Sequence, residues 1–211
     1  MLNSSLNPTI TYGLLRHGET VWNREKRVQG HGDSPLTEAG KKALAAWAKV
    51  LDSSRWSHIL ASDLGRVRQT VAIINQEMQL PVTVEPRLRE QNWGDWEQMK
   101  VSEVFAQYAE FLAINEAKGW DFRPPNGESR REVLARGLAA LADFRTDHAR
   151  GDILVVCHLG LIKCFLYHAA GCSFLPDANI RFEKSCLHHL LYADGGYQLG
   201  QLDIRPQDLA P

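Results

Sequence analysis

An α/β fold is predicted for this 211-residue chain on three observations. Short apolar runs alternate with segments whose apolar residues recur every three or four positions, the pattern of strands alternating with amphipathic helices. One run, Ile153 to Val156, is wholly apolar and mostly β-branched, as a parallel strand buried on both faces requires. The composition, 44% hydrophobic and 23% charged, is ordinary for a soluble globular protein. The length suits one domain, or one domain with an insertion.

The elements follow in order. The first strand covers about Tyr12 to Leu15. Thr37 reads as the N-cap of a helix running to about Leu51, with Leu44, Trp47 and Leu51 on one face. A short strand is expected at His58 to Ala61. The next helix carries the stripe Leu64, Val67, Val71, Ile74 and Met78, with Ser62 or Asp63 as its cap. Pro81 to Val84 is a further short strand. Ser129-Arg130-Arg131-Glu132 is a capping box that opens a long helix to about His148. After the buried run at 153–156 comes a helix from Gly160 to Ala170. Leu187 to Tyr192 and Tyr197 to Leu202 flank Asp194-Gly195-Gly196 and read as a terminal hairpin.

Between Gln91 and Gly127 the periodicity loosens. The segment holds Trp93, Trp96, Phe105, Tyr108, Phe111, Trp120 and Phe122. It reads as a helical insertion with an aromatic underside, most of the rings anchoring it to the sheet. Met1 to Thr9 and Pro206 to Pro211 read as loose ends.

Four places carry candidate chemistry. The first is Arg16-His17-Gly18, where the first strand gives out. At the carboxyl end of a strand in an α/β sheet, such residues face the crevice where ligands bind. Arg16 has the planar fork to clamp an anion. His17 has the neutral imidazole to act as nucleophile. Gly18 would let the backbone approach a ligand. The second is Arg66, in the first turn of its helix, where free amides already favour an anion. A cation there is poorly placed for helix stability and well placed for a phosphate. Arg68 points elsewhere and reads as solvated or salt-bridged. The third is His158, which follows the most buried strand just as His17 follows the first. His58, His148, His168, His188 and His189 have no such context and read as structural or surface residues. The fourth is Glu90 to Glu97, where carboxyl groups lie among tryptophans. Desolvation there would favour the protonated form and suit a general acid. On that argument Glu90 and Glu97 are both candidates.

Taken together, these stretches resemble the histidine phosphatase superfamily, the phosphoglycerate mutase-like group. Arg16-His17-Gly18-Glu19-Thr20 resembles its defining motif. Asn23 and Gln29-Gly30-His31-Gly32-Asp33-Ser34-Pro35-Leu36-Thr37 resemble the loop that follows. Ser62, Leu64, Arg66 and Gln69-Thr70 resemble the second-arginine motif. Leu88-Arg89-Glu90 with Gly94, Trp96 and Glu97 resembles the acid motif and places the acid at Glu90. Asn126-Gly127-Glu128-Ser129 and Val156-Cys157-His158 resemble the two later motifs. The match runs in order over about residues 10 to 193. Departures are Cys157, where the family commonly has Ser or Thr, and Leu159 and Gln98, where it commonly has Gly.

The resemblance implies a mixed, mostly parallel central sheet flanked by helices on both faces, in a single domain with a helical lid insertion at about 91–127. It implies that His17 attacks phosphorus and forms a phosphohistidine. Arg16, Asn23, Arg66 and a protonated His158 would hold the phosphoryl oxygens, and Glu90 would be the acid and then the base. No zinc-type ligand spacing is present, so neither metal nor cofactor is expected. Three functions compete: phosphomonoester hydrolysis, a cofactor-dependent mutase, and a non-catalytic binder. A binder would be expected to have lost His17 or Glu90. The mutases carry a longer basic, Tyr-rich insertion after the acid. This chain continues Gly94-Asp95-Trp96-Glu97, resembling the small phosphatases, α-ribazole and broad-range phosphatases among them. In the lid, Lys100, Lys118 and Arg123 are offset by Asp95, Glu97, Glu103, Glu110 and Glu116. That balance favours hydrolysis, with an uncharged or bulky leaving group.

The expected partner is a small-molecule phosphomonoester. Lys and Arg total 24 against 25 Asp and Glu, a net charge of −1, so no nucleic-acid footprint is expected. No apolar stretch suits a membrane span, and Met1 to Thr9 lacks the apolar core of a secretory signal. The four cysteines, Cys157, Cys164, Cys172 and Cys186, read as reduced thiols. The expected compartment is the cytoplasm.

Overall fold

In the computed structural model, which describes residues 9–52, 54–147, 151–175 and 180–209, the apolar runs form one six-stranded sheet. Its strands are β1 (Ile10–Arg16), β2 (Trp56–Ala61), β3 (Val82–Val84), β4 (Asp152–Cys157), β5 (Leu187–Ala193) and β6 (Gly196–Leu199). Their order is β3-β2-β4-β1-β5-β6. The first four run parallel, while β5 pairs antiparallel with β1 and β6 antiparallel with β5. The sheet is therefore mixed and mostly parallel. Asp194 and Gly195 turn the final hairpin with φ of 52° and 81°, the left-handed pair a two-residue turn demands.

The helices are α1 (Val21–Arg24), α2 (Glu38–Ala48), α3 (Gly65–Met78), α4 (Val101–Gln107), α5 (Ala109–Asn115), α6 (Arg130–Asp147), α7 (Leu159–Ala169) and α8 (Pro206–Leu209). Side chains alternate across each strand, and this divides the core in two. Tyr12, Leu14, Ile153, Val155 and Cys157 pack with residues of α6 and α7. Leu15, Leu154 and Val156 pack with residues of α2 and α3 on the opposite face. That two-sided burial is why β4 reads as an unbroken apolar run.

Two caps fall where the sequence puts them. Thr37 Oγ1 accepts from Gly40 N at 2.9 Å. Ser129 Oγ accepts from Glu132 N at 3.2 Å while Glu132 Oε2 accepts from Ser129 N at 2.8 Å. The expected end of that helix, His148, lies outside the described residues, as do residues 1–8 of the expected loose N-terminus. The cap of α3 differs from expectation. Its N-cap is Leu64, with no side-chain cap of its own. Asp33 Oδ1 reaches in from a loop and accepts from Arg66 N at 3.2 Å. Ser62 and Asp63 are drawn off by His158 and Arg89. Of the other expected loose end, Pro206–Leu209 forms α8 and Leu209 packs against the α2–α3 core, while residues 210 and 211 lie outside the described residues.

The insertion is helical, built from α4, α5 and two 3-10 turns at Gly94–Trp96 and Glu116–Asp121. Its rings do not mostly anchor to the sheet. Trp96, Val104, Leu112 and Phe122 form a separate cluster with Trp93, Tyr108 and Phe111. Trp120 alone of the lid rings named above packs on a sheet core. Helices of seven residues each cannot reach the sheet and also close over the crevice, so their apolar faces gather on one another.

Candidate active site

The register of β1 against β4 assembles the site. Arg16 pairs with Cys157 across the two parallel strands, so the next residue of each emerges at the same edge. His17 N donates to Cys157 O at 3.1 Å, and the His17 and His158 ring centroids lie 5.3 Å apart. The first turn of α3, after β2, delivers Arg66 between them. All three stand at strand carboxyl ends, where open α/β sheets bind ligands.

Arg66 is the hub. It is 1% exposed, and its five N–H groups are all engaged. Nε donates to His17 Nε2 at 3.3 Å, and Nη2 donates to His158 Nδ1 at 3.1 Å and Gly30 O at 2.8 Å. Nη1 donates to Gly32 O at 2.7 Å and Asp33 Oδ1 at 3.3 Å. Because arginine only donates, both imidazole nitrogens facing it are acceptors. The other nitrogens therefore carry the protons. His17 Nδ1 donates to Gly18 O at 2.8 Å, and His158 Nε2 donates to Ser62 Oγ at 2.9 Å.

Both imidazoles are neutral. Burial holds His17 well below the usual histidine range, and the charges of Arg16 and Arg66 push it further. Burial and then Arg66 do the same to His158. The expected protonated His158 is thus corrected: it stands behind Arg66, 0% exposed, and does not line the cavity. Gly18 is corrected too. A side chain there would meet Leu44 Cδ1 of α2 at 2.7 Å, so its bareness serves helix packing rather than ligand approach.

The neutral histidines make a stability prediction. His188 is also lowered by burial, and His189 is lowered by burial and Arg55 to about 4. When the folded state depresses a histidine, the unfolded chain takes up the proton first, so stability falls as pH drops below the unfolded value. The melting temperature is expected to fall steadily from about pH 6.5 towards pH 4. A calorimetric series flat across that window would contradict the neutral pair.

Arg16 is the opposite of Arg66. Its Nε is buried without a hydrogen-bond partner among the described residues, which costs free energy unless a ligand supplies an acceptor. Asn23 caps α1 reciprocally with Thr20: its N donates to Thr20 Oγ1 and its Oδ1 accepts from Thr20 N, both at 3.2 Å. Its Nδ2 has no partner among the described residues, and Asn23 lines the cavity.

The structure separates the two carboxylates. Glu90 lines the cavity, with Oε1 accepting from Gln91 N at 2.9 Å and Oε2 from Gly160 N, in the first turn of α7, at 3.1 Å. Glu97 faces away. It accepts from His31 N at 2.8 Å and Gly32 N at 3.1 Å. Gly30 has φ of 56° and any side chain there would collide with the Glu97 carboxylate. Glu97 is a clasp on the loop whose carbonyls hold Arg66.

Gln98 adopts φ of 70°, the conformation a glycine would take there. Leu159 opens α7 and lines the cavity. Cys157 is fully buried, and burial pushes its thiol up.

The cavity measures about 420 Å³ and runs from Arg16, His17, Asn23, Arg66 and Glu90 to the lid rings Trp93, Trp96, Phe105 and Phe122. Three further cations line it: Arg27, which is paired with Glu25 and donates to Gln98 O, Arg130 from α6 and Lys163 from α7. The sequence reading missed all three. Arg130 stands in the first turn of its helix, the same misplaced-cation signal that singled out Arg66. Lys163 follows Leu159 by one helical turn amid apolar neighbours. Among the described residues, no group of three or more His, Cys, Asp or Glu could hold a metal ion, and no helix is long and apolar enough to cross a membrane.

Comparison with known proteins gives a consistent result. The family model of the histidine phosphatase superfamily (branch 1) matches residues 13–204. A protein of Enterobacter sp. (strain 638) named "Probable phosphoglycerate mutase GpmB" is 33% identical over 190 residues, covering 86% of this chain and 84% of that one. Among solved structures, the α-ribazole phosphatase from Shigella flexneri superposes with a TM-score of 0.79 at 25% identity, covering 92% of this chain and 96% of that one. A mycobacterial glucosyl-3-phosphoglycerate phosphatase gives 0.78 at 27% identity, covering 93% and 100%.

Proposed function

We infer the reaction from one premise: this chain belongs to the histidine phosphatase superfamily (branch 1). Its proposed activity is hydrolysis of phosphomonoesters through a phosphohistidine. The observation that carries this reading is the neutral His17, whose Nε2 lone pair is held by Arg66 Nε beside the unpartnered Arg16.

In the proposed sequence, Arg16 and the Asn23 Nδ2 amide take non-bridging oxygens of the ester. His17 Nε2 attacks phosphorus, a P–N bond forms and the ester P–O bond breaks. Glu90 gives a proton to the departing alkoxide. Once its lone pair is committed to phosphorus, Nε2 no longer accepts from Arg66, whose Nε–H is freed for a phosphoryl oxygen. That contact arises only as the bond forms, so it favours the transition state over the ground state. His158 acts through Arg66 as a positioning residue, its tautomer set by Ser62. Glu90, now a carboxylate, takes a proton from water, the water attacks phosphorus, and His17 is restored as phosphate leaves.

A second reading, return of the phosphoryl group to another hydroxyl, is favoured by the name of the curated relative. Shielding of the phosphoenzyme from water decides between the two. Purified protein is expected to release phosphate from a panel of monoesters, with activity surviving EDTA and competed by vanadate. With 3-phosphoglycerate and a trace of 2,3-bisphosphoglycerate it should form little 2-phosphoglycerate. Fast 2-phosphoglycerate formation, outpacing phosphate release from every ester, would promote the mutase reading. Activity lost to EDTA and restored by a divalent ion would overturn the metal-free mechanism.

A further inference from the structure

We propose that the substrate carries a second anionic group, set apart from the ester phosphate by an apolar or aromatic body, and that Lys163, seconded by Arg130, receives it. The proposal rests on the phosphomonoester reading above and names the substrate class of that site.

The cavity is larger than a phosphate requires. About 420 Å³ falls within the roughly 300–1,000 Å³ of sites that take whole small molecules. Beyond the His17 end its walls are apolar, with Trp93, Phe105, Phe122 and Phe174 among them. Arg130 and Lys163 interrupt that apolar lining. Arg130 is fixed in place. Its guanidinium lies 4.4 Å from the Phe122 ring and 4.6 Å from the Phe174 ring. Its Nη1 donates to Gly119 O at 3.0 Å and Phe174 O at 3.3 Å. Glu116 also lines the cavity and partly offsets this charge.

Lys163 has no ion pair or hydrogen bond among the described residues. It is half-buried, and the cations Lys184 and Arg130 face it. Glu90 is a carboxylate that acts on it, and it is already tied to two backbone amides. Burial and the neighbouring cations lower its pKa. A partly desolvated, unpaired ammonium among like charges is unfavourable for folding alone. An anionic ligand group reverses that, since a charge-assisted contact in such a setting is among the stronger polar ones. Lys163 also stands on α7 three residues after Gly160, whose amide holds Glu90, so the helix gives it a fixed position for a point contact. The acid–base balance of the lid, which pointed to an uncharged leaving group, misses these cations because they come from α6 and α7.

The test compares phenyl phosphate with a carboxymethyl-substituted phenyl phosphate of matched leaving-group acidity. The wild-type protein is expected to favour the carboxylated ester in kcat/KM by roughly 10- to 100-fold, mostly through KM, the worth of one charge-assisted contact. Lys163→Met should bring that ratio close to one, and Lys163→Arg should keep most of it. Equilibrium binding of both esters to a His17→Ala protein reads the same preference without turnover. Equal kcat/KM for the two esters, or a preference that persists in Lys163→Met, overturns the proposal while leaving the phosphatase reading intact. Binding preference without hydrolysis by the wild type does the reverse.

Discussion

Alanine at position 17 is expected to remove phosphomonoester turnover almost entirely, by at least ~10⁴-fold in kcat, as loss of a nucleophile does in a site whose groups act as a unit. The expectation follows from the geometry around Nε2. It is the unprotonated nitrogen of a buried ring whose other nitrogen is tied to Gly18 O at 2.8 Å. The substitution also takes the acceptor from Arg66 Nε, leaving one of its five donors unpaired in a buried place, so some stability is expected to go with the activity. A covalent readout separates the two effects. Rapid quench with phosphoryl-labelled substrate should trap an acid-labile, alkali-stable adduct on the wild-type protein. Labelling that persists in His17→Ala would move the nucleophile elsewhere.

Glu90→Gln is expected to slow hydrolysis of alkyl esters by roughly 10²–10⁴-fold, the usual contribution of a positioned general acid. The loss should shrink for aryl esters, whose leaving groups depart without a proton. The comparison matters because glutamine is not a clean replacement here. Both carboxylate oxygens accept backbone amides, from Gln91 and Gly160, and a glutamine amide can accept only one of them. Structural damage would lower both ester classes together. Glu97→Gln supplies that pattern: it loosens the clasp on His31 and Gly32, and through Gly30 and Gly32 the hold on Arg66. An alkyl-to-aryl ratio unchanged in Glu90→Gln would remove Glu90 as the acid.

Much of the fold can be read from the chain because its signals are local. Short apolar runs and period-3.6 stripes placed β1, β2, β4, α2, α3 and α7, and the Ser129–Glu132 capping box opens α6 where its spacing says. The lid was readable as helical but not in its packing. Aromatic rings at loose spacing do not say whether they meet the sheet or one another.

The sequence by itself determined which side chains reach the carboxyl edge of the sheet: Arg16 and His17 after one strand, Arg66 after a second, His158 after a third. Strand ends and helix first turns are local features, so residue type and position sufficed. Only the tertiary structure decided what those side chains do to one another. The partners of Arg66 lie 36, 49 and 92 residues away at Gly30, His17 and His158. Hydrogen bonds at such separations depend on register and on tenths of an ångström, which no periodicity encodes. That geometry makes His158 a neutral acceptor behind Arg66 instead of a cation. It turns Glu97 to the loop and Glu90 to the cavity. It also brings Arg130 and Lys163 from two helices into a pocket that the lid sequence alone described as poor in positive charge.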